Sequence, residues 1–130
     1  TMATTGNAQE FGDLQVGKRS GSKGQSSNST RWVLIGGMTP SYVNTMDYIT
    51  IATFGNSMDF GDCSTNLAVT APMASPTRCV YAGGSSSDPT YVNTIAYITF
   101  ATQGDGVDFG DTTTATSGAS GCSNAHGGLG

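Results

Sequence analysis

Charge is the first shortage in this sequence. Only 11% of the 130 residues are charged, with five Lys and Arg against nine Asp and Glu, for a formal net charge of −4. Binding nucleic acid through its phosphates needs clustered basic side chains. The sole local group, Lys18, Arg19 and Lys23, reads as a solvated loop, so no nucleic-acid partner is expected. Long apolar runs are also missing. The longest clean one is Trp32 to Ile35, far below the ~20 residues of a membrane-spanning helix, and no membrane partner is expected. Thr1-Met2-Ala3 shows neither the basic region nor the apolar core of a signal peptide. Glu, Lys and Arg, which build helical surfaces, are scarce, and no amphipathic helix is apparent.

Glycine is abundant instead, at 19 positions, alongside many Ser and Thr. Short strands joined by Gly-rich turns suit that composition. The sequence also repeats. Gly6-Asn7-Ala8-Gln9-Glu10-Phe11-Gly12-Asp13 returns 49 residues later as Gly55-Asn56-Ser57-Met58-Asp59-Phe60-Gly61-Asp62. It returns after another 49 as Gly104-Asp105-Gly106-Val107-Asp108-Phe109-Gly110-Asp111. Tyr42-Val43-Asn44-Thr45 likewise returns as Tyr91-Val92-Asn93-Thr94. Between these anchors the spacing varies: Asp13 to Arg31 spans 18 positions, whereas Asp62 to Arg78 spans 16. Gly37 to Tyr42 spans 5 and Gly84 to Tyr91 spans 7, which restores the period. Length variation marks surface connections between fixed strands.

Two strands per period stand out. Met46 to Thr53 and its copy Ile95 to Thr102 are rich in β-branched and aromatic residues. Ile49 and Ile51 share one face and Tyr48 and Thr50 the other; Ile98 with Phe100, and Tyr97 with Thr99, follow the same alternation. Both faces carry apolar residues, which predicts a sheet packed on both sides. The second strand runs from Arg31 to Ile35 and ends at Gly36-Gly37; its copy starts at Arg78 and ends at Gly83-Gly84. The paired glycines predict positive φ or close backbone approach. Weaker strands are expected around Leu14 to Val16 and Leu67 to Thr70. Three or four antiparallel strands in 40–50 residues is the size of one propeller blade.

The predicted fold is therefore all-β, with tandem antiparallel, propeller-blade-like repeats. Residues 1–13 end a first repeat, 14–62 and 63–111 form two full ones, and 112–130 begin another or close the array. A closed propeller needs about four to eight blades, so more chain or homo-oligomerisation is expected to complete it. The three cysteines, Cys63, Cys79 and Cys122, are odd in number, lack C-x-x-C spacing and do not recur between repeats. Small buried or half-buried side chains are expected of them, rather than a zinc site or a disulfide framework.

The pattern of an apolar strand, Gly-Gly, a variable loop and a Tyr-containing strand resembles a kelch repeat in part. Kelch blades carry a late Trp where Phe60 and Phe109 stand here. The fuller resemblance is to the kelch-like repeats of about 49 residues in tail-fibre and other virion structural proteins of marine phages, cyanophages above all. Ser29-Thr30-Arg31, Gly36-Gly37, Asn44-Thr45, Tyr48 to Thr53, Gly55-Asn56 and Asp59 to Asp62 carry it, and it covers nearly the whole chain. Ser123 to Leu129 is similar to the closing segment of such proteins. The sequence departs locally at Gln9-Glu10 and Gly106-Val107, and Cys63 and Thr112 replace Leu14. The resemblance implies a virion component of a tail fibre, neck fibre or head appendage, with other virion subunits as partners and a host-surface glycan or protein as a recognised ligand. A purely architectural spacer or cement role and a kelch-like cellular adaptor are the alternatives.

Chemistry is sparse. Asn56, Asp59 and Asp62, and at equivalent positions Asp105, Asp108 and Asp111, offer oxygen ligands of the kind calcium takes. The first copy has Glu10 for the central Asp, and the spacing is not an EF-hand loop. Turn-forming acceptors for backbone N–H groups are the favoured reading over a calcium site, and no other cofactor is expected. His126, the single histidine, has no nucleophile or orienting carboxylate in a recognisable arrangement. The carboxylates recur once per repeat, as scaffold residues do, so no enzyme activity is expected and no catalytic residue is named. The recurrent positions expected to build the repeat are Phe11, Phe60 and Phe109, Gly36 with Gly37, Gly83 with Gly84, Tyr48 with Tyr97, and Arg31 with Arg78. The two arginines are expected to pair with an Asp of an adjacent turn.

Overall fold

A computed structural model describes residues 5–122. Among them no helix forms, and the named strands pair antiparallel throughout. The first sheet orders β1 (Arg31–Thr39), β2 (Ser41–Thr50) and β3 (Met58–Asp62) as a meander. The second contains β4 (Ala71–Ala74), β5 (Arg78–Ala82), β8 (Thr94–Thr99) and β9 (Val107–Asp111) in that order. The connection between β5 and β8 carries the small pair β6 (Ser85–Ser87) and β7 (Thr90–Tyr91).

The two larger sheets are copies in register as well as in order. Arg31 faces Thr50 as Arg78 faces Thr99. Thr45 faces Asp62 as Thr94 faces Asp111, and the same bulge follows, at Met46/Asp47 and at Ile95/Ala96. The first sheet has its own counterpart of β4. Ser27 lies opposite Trp32 as Ala74 lies opposite Cys79, and Asn28 N donates to Arg31 O at 3.0 Å as Ser75 N donates to Arg78 O at 2.7 Å. The length-variable interval between Asp13 and Arg31, Gln15 to Ser29, is thus not wholly a surface connection. Its last part is a sheet edge. The weak strand expected at Leu67 to Thr70 sits a few residues later, at β4, where a single bridge from Ala68 to Ser85 precedes it. β4 reads Ala-Pro-Met-Ala, poor in β-formers, and its extended form comes from pairing with β5 rather than from propensity.

The glycine pairs behave as expected, with one difference. Gly36 and Gly83 both have φ of 60°, and a Cβ on either would run into a carbonyl oxygen, of Leu67 or Thr116. However, β1 continues through its pair to Thr39 over a bulge, while β5 stops before its own.

Alternation along the strands puts Val33, Ile35, Met46, Tyr48 and Phe60 on one face of the first sheet. Cys79, Tyr81, Ala96, Ile98 and Phe100 lie on the opposite-handed face of the second. All ten are buried in one cluster, so the core is the contact between repeats. This core covers one face of each sheet, whereas the alternation predicted packing on both: Ile51 and Phe109, on the other faces, are exposed. Burying a Val, Ile, Met or Phe side chain contributes about 1.5–3 kcal/mol. Beyond the sheets, Gly24 bridges Gly121 in parallel, and Pro72 O lies against both. Edge segments from three successive repeats therefore meet at one line. The described residues form no closed sheet, and that meeting is tighter than the central channel of a many-bladed ring.

Candidate functional site

The residues repeated most faithfully gather where one repeat meets the next. Gly104 N donates to Phe60 O and Gly106 N to Asp62 O, both at 2.8 Å, while Asp62 N donates to Asp105 Oδ1 at 3.0 Å. One repeat earlier the same clasp recurs. Gly55 N donates to Phe11 O at 2.8 Å, Ser57 N to Asp13 O at 2.9 Å, and Asp13 N to Asn56 Oδ1 at 2.9 Å. The turn before each final strand thus grips the Phe-Gly-Asp segment of the preceding repeat. Glycine is required inside the gripped segment. Gly12 and Gly61 have φ of 148° and 140°, and a Cβ on either would overlap the carbonyl oxygen of Gly55 or Gly104.

These bonds account for most of the oxygen ligands considered for calcium. Asn56 and Asp105 accept N–H bonds from the neighbouring repeat, and Asp59 Oδ1 and Asp108 Oδ1 accept from Gly61 N and Gly110 N two residues on, at 3.2 and 3.1 Å. That is the turn-forming role. Asp62 and Asp105 are brought together across the contact, but through a backbone N–H. Among the described residues, no three His, Cys, Asp or Glu side chains group to hold a metal.

The arginine expectation needs correction. Arg31 and Arg78 do not pair with an Asp. Each lies over the tyrosine of the adjacent strand, 4.8 Å from the ring centroid of Tyr48 or Tyr97. In-register pairing of β1 with β2, and β5 with β8, places each guanidinium over a ring face, where cation–π attraction holds it. Arg31 Nη1 also donates to Phe100 O of the next repeat. Tyr48 accepts from Gln103 Nε2 at 2.7 Å and meets Phe60 edge-on at 5.8 Å. Tyr97 meets Phe109 in the same way at 6.2 Å. Asn28, not singled out from the sequence, belongs here too. Its Oδ1 accepts from Arg31 N and its Nδ2 donates to Pro76 O across the repeats, at 2.8 and 2.9 Å. The signal was Ser75, a capping residue at the equivalent position, whose Oγ accepts from Arg78 N. A cleft of about 430 Å³ opens between the repeats at this end, lined by Arg31, Thr50, Pro76, Thr99 and Phe100 among others.

The length-variable intervals lie at the other end. The β1–β2 hairpin tip, the stretch carrying β6 and β7, and the front part of Gln15 to Ser29 meet there. Arg19 and Met38 exchange backbone bonds at 3.0 and 2.8 Å, and Val69 N donates to Ser20 O. Lys18 departs from the solvated-loop reading. Its side chain is 2% exposed and pairs with the buried carboxylate of Asp47, with Thr45 Oγ1 accepting a further bond at 2.7 Å. One repeat on, Leu67 and Ala96 occupy the equivalent positions.

Cys63 and Cys79 are buried and Cys122 is exposed, all with free thiols. Burial pushes the Cys63 thiol up to about 11 and the Cys79 thiol up to about 12. Neither is a poised nucleophile. His126 and the segment Ser123 to Leu129 lie outside the described residues. No protein-family model matches this chain, and no curated protein is significantly similar to it.

Proposed function

We propose that the chain is a structural module of a phage virion, in a tail fibre, neck fibre or head appendage, whose variable loops contact a host-surface glycan or protein. One observation carries the reading: invariance and variability are separated in space. Residues recurring every 49 positions, from Gly55 to Asp62 and from Gly104 to Asp111, make the main-chain clasp between repeats. Of the intervals that change length, Met38 to Ser41, Ser85 to Thr90 and the front part of Gln15 to Ser29 lie toward the opposite end, while the last part of Gln15 to Ser29 reaches the joint through Asn28. A scaffold that repeats its joints and varies its loops suits recognition. Each meander, three strands with a bridged edge segment in the first sheet and four strands in the second, acts as a blade-like unit, and the units fan from a common line. The carboxylates serve backbone groups, which favours a non-enzymatic role.

The reading is tested with labelled protein on a panel of marine cyanobacterial cells. Saturable binding, lost when residues 38–41 and 85–90 are both exchanged for Gly-Ser segments, is the expected result. Binding that survives the exchange would remove these loops from recognition. No binding to any strain would leave the architectural spacer as the better account.

A further inference from the structure

The chain carries nine Asp and Glu, yet no carboxylate lines the cleft of about 430 Å³ between the repeats. One cation does. Arg31 stands at its wall with its charge unmatched, because the guanidinium meets a tyrosine ring and a carbonyl oxygen rather than an Asp. Stacking over Tyr48 and the bond from Nη1 to Phe100 O hold the group in one orientation. Its Nε and Nη2 groups have no hydrogen-bond partner among the described residues. That edge of a guanidinium presents two parallel N–H bonds, which match two oxygens of a carboxylate or a sulfate.

Around Arg31 the walls offer hydroxyls in pairs. Thr30 and Thr77 stand at equivalent strand entries, and Thr50 and Thr99 lie opposite Arg31 and Arg78 in register. Thr30 Oγ1 donates to Asn28 Oδ1 at 3.0 Å. The hydroxyls of Thr50 and Thr99, both half-buried, bond nothing among the described residues. Packing alone does not call for a hydroxyl there, since Val is β-branched too and would fill the same space. Pro76 and Ala101 add apolar surface to the walls. Arg31, Thr50 and Thr99 sit on paired strands, so they are held in place before any ligand arrives. The volume suits a small saccharide rather than a bare ion.

We propose that this cleft binds an acidic saccharide. A carboxylate or sulfate group of the sugar is held by Nε and Nη2 of Arg31, and sugar hydroxyls exchange hydrogen bonds with Thr50 and Thr99. The apolar face of the ring rests on the threonine methyls, Pro76 and Ala101. Because the groups come from both repeats, a ligand seated there ties Arg31 and Thr50 of one to Thr99 of the next. The site lies at the joint, away from residues 38–41 and 85–90, so it stands whether or not those loops recognise a host.

Amide NMR titrations of the full chain test this, with digalacturonate, a sulfated galactose disaccharide, neutral lactose and inorganic sulfate as probes. The expected result is saturable shifts at Thr30, Thr50, Thr99 and Ala101 with at least one acidic disaccharide, at about millimolar affinity. The tighter of the two identifies the acid group. Arg31→Gln should weaken that binding by about tenfold or more. Thr50→Val combined with Thr99→Val should weaken it by about three- to tenfold. The threonine change breaks no bond among the described residues, so its thermal unfolding should match the parent, and it keeps the test decisive if Arg31→Gln misfolds. Silence of the cleft amides toward both acidic disaccharides overturns the proposal, as do shifts confined to residues 38–41 and 85–90. Equally tight binding of lactose, or of inorganic sulfate as a simple anion, overturns it too, and so does full affinity in the threonine double variant.

Discussion

At the scale of single residues, equivalent positions carry different chemistry for the same task. Lys18 and Asp47 form a buried ion pair where the next repeat places Leu67 and Ala96. A buried pair is costly to break and cheap to replace as a whole. Lys18→Leu alone leaves the Asp47 carboxylate buried without its cation, and urea unfolding should show a loss of about 3–5 kcal/mol. The double change Lys18→Leu with Asp47→Ala copies the second repeat, and its stability is expected within about 1 kcal/mol of the parent or above it. A double variant as unstable as the single one would mean that the pair does more than fill space. The sequence could not reveal this burial. Lys18 stands beside Arg19 and near Lys23 in a polar stretch, and its meeting with Asp47 is a contact across 29 residues of sequence that no local pattern marks. Nor could it reveal that Arg31 and Arg78 sit on tyrosines. That depends on cross-strand register, which a one-dimensional pattern does not contain.

Among the strands, those with β-branched and aromatic runs were legible, because alternation sets which side chains share a face. Tyr48 in one sheet, and Ile98 with Phe100 in the other, are buried on opposite faces of equivalent strands, so each sheet packs one face into the core rather than both. β4 and its counterpart at Ser26 to Asn28 were not legible, since Ala, Pro, Ser and Asn take extended form there only because β5 and β1 offer open edges. The Phe-Gly-Asp motif illustrates the remaining gap: identical letters, one shape, unequal cover. Phe60→Ala should cost about 3–5 kcal/mol, the penalty for emptying a large buried site. Phe109→Ala, measured by the same denaturation curve in dilute monomer, should cost less than about 1 kcal/mol. Equal costs would show that the two copies are covered alike in solution.

For the molecule as a whole, the core belongs to neither repeat alone, and Cys63 and Cys79 report on its opening. Both thiols are held protonated by burial, at about 11 and about 12, against an ordinary value of 9.0. A raised value in the folded state stabilises fully below the unfolded thiol's pKa, and that contribution is lost as pH rises toward the folded one. Stability should therefore hold through neutral pH and decline from about pH 9 upward. In native buffer a thiol reagent should modify Cys122 only, with Cys63 and Cys79 reacting together on global unfolding. Early modification of either buried thiol would show that the repeats separate before they unfold.

The joints between repeats have a consequence for ancestry. The clasp is made mainly by main-chain groups: Phe60 O, Asp62 O, and the amides of Gly104 and Gly106. Such groups are present in every copy so long as the gripped glycine is kept, so a gene that gains or loses one 49-residue unit by recombination keeps matching ends. Length can then change in single steps, and loops can drift freely, without any compensating substitution at the seams.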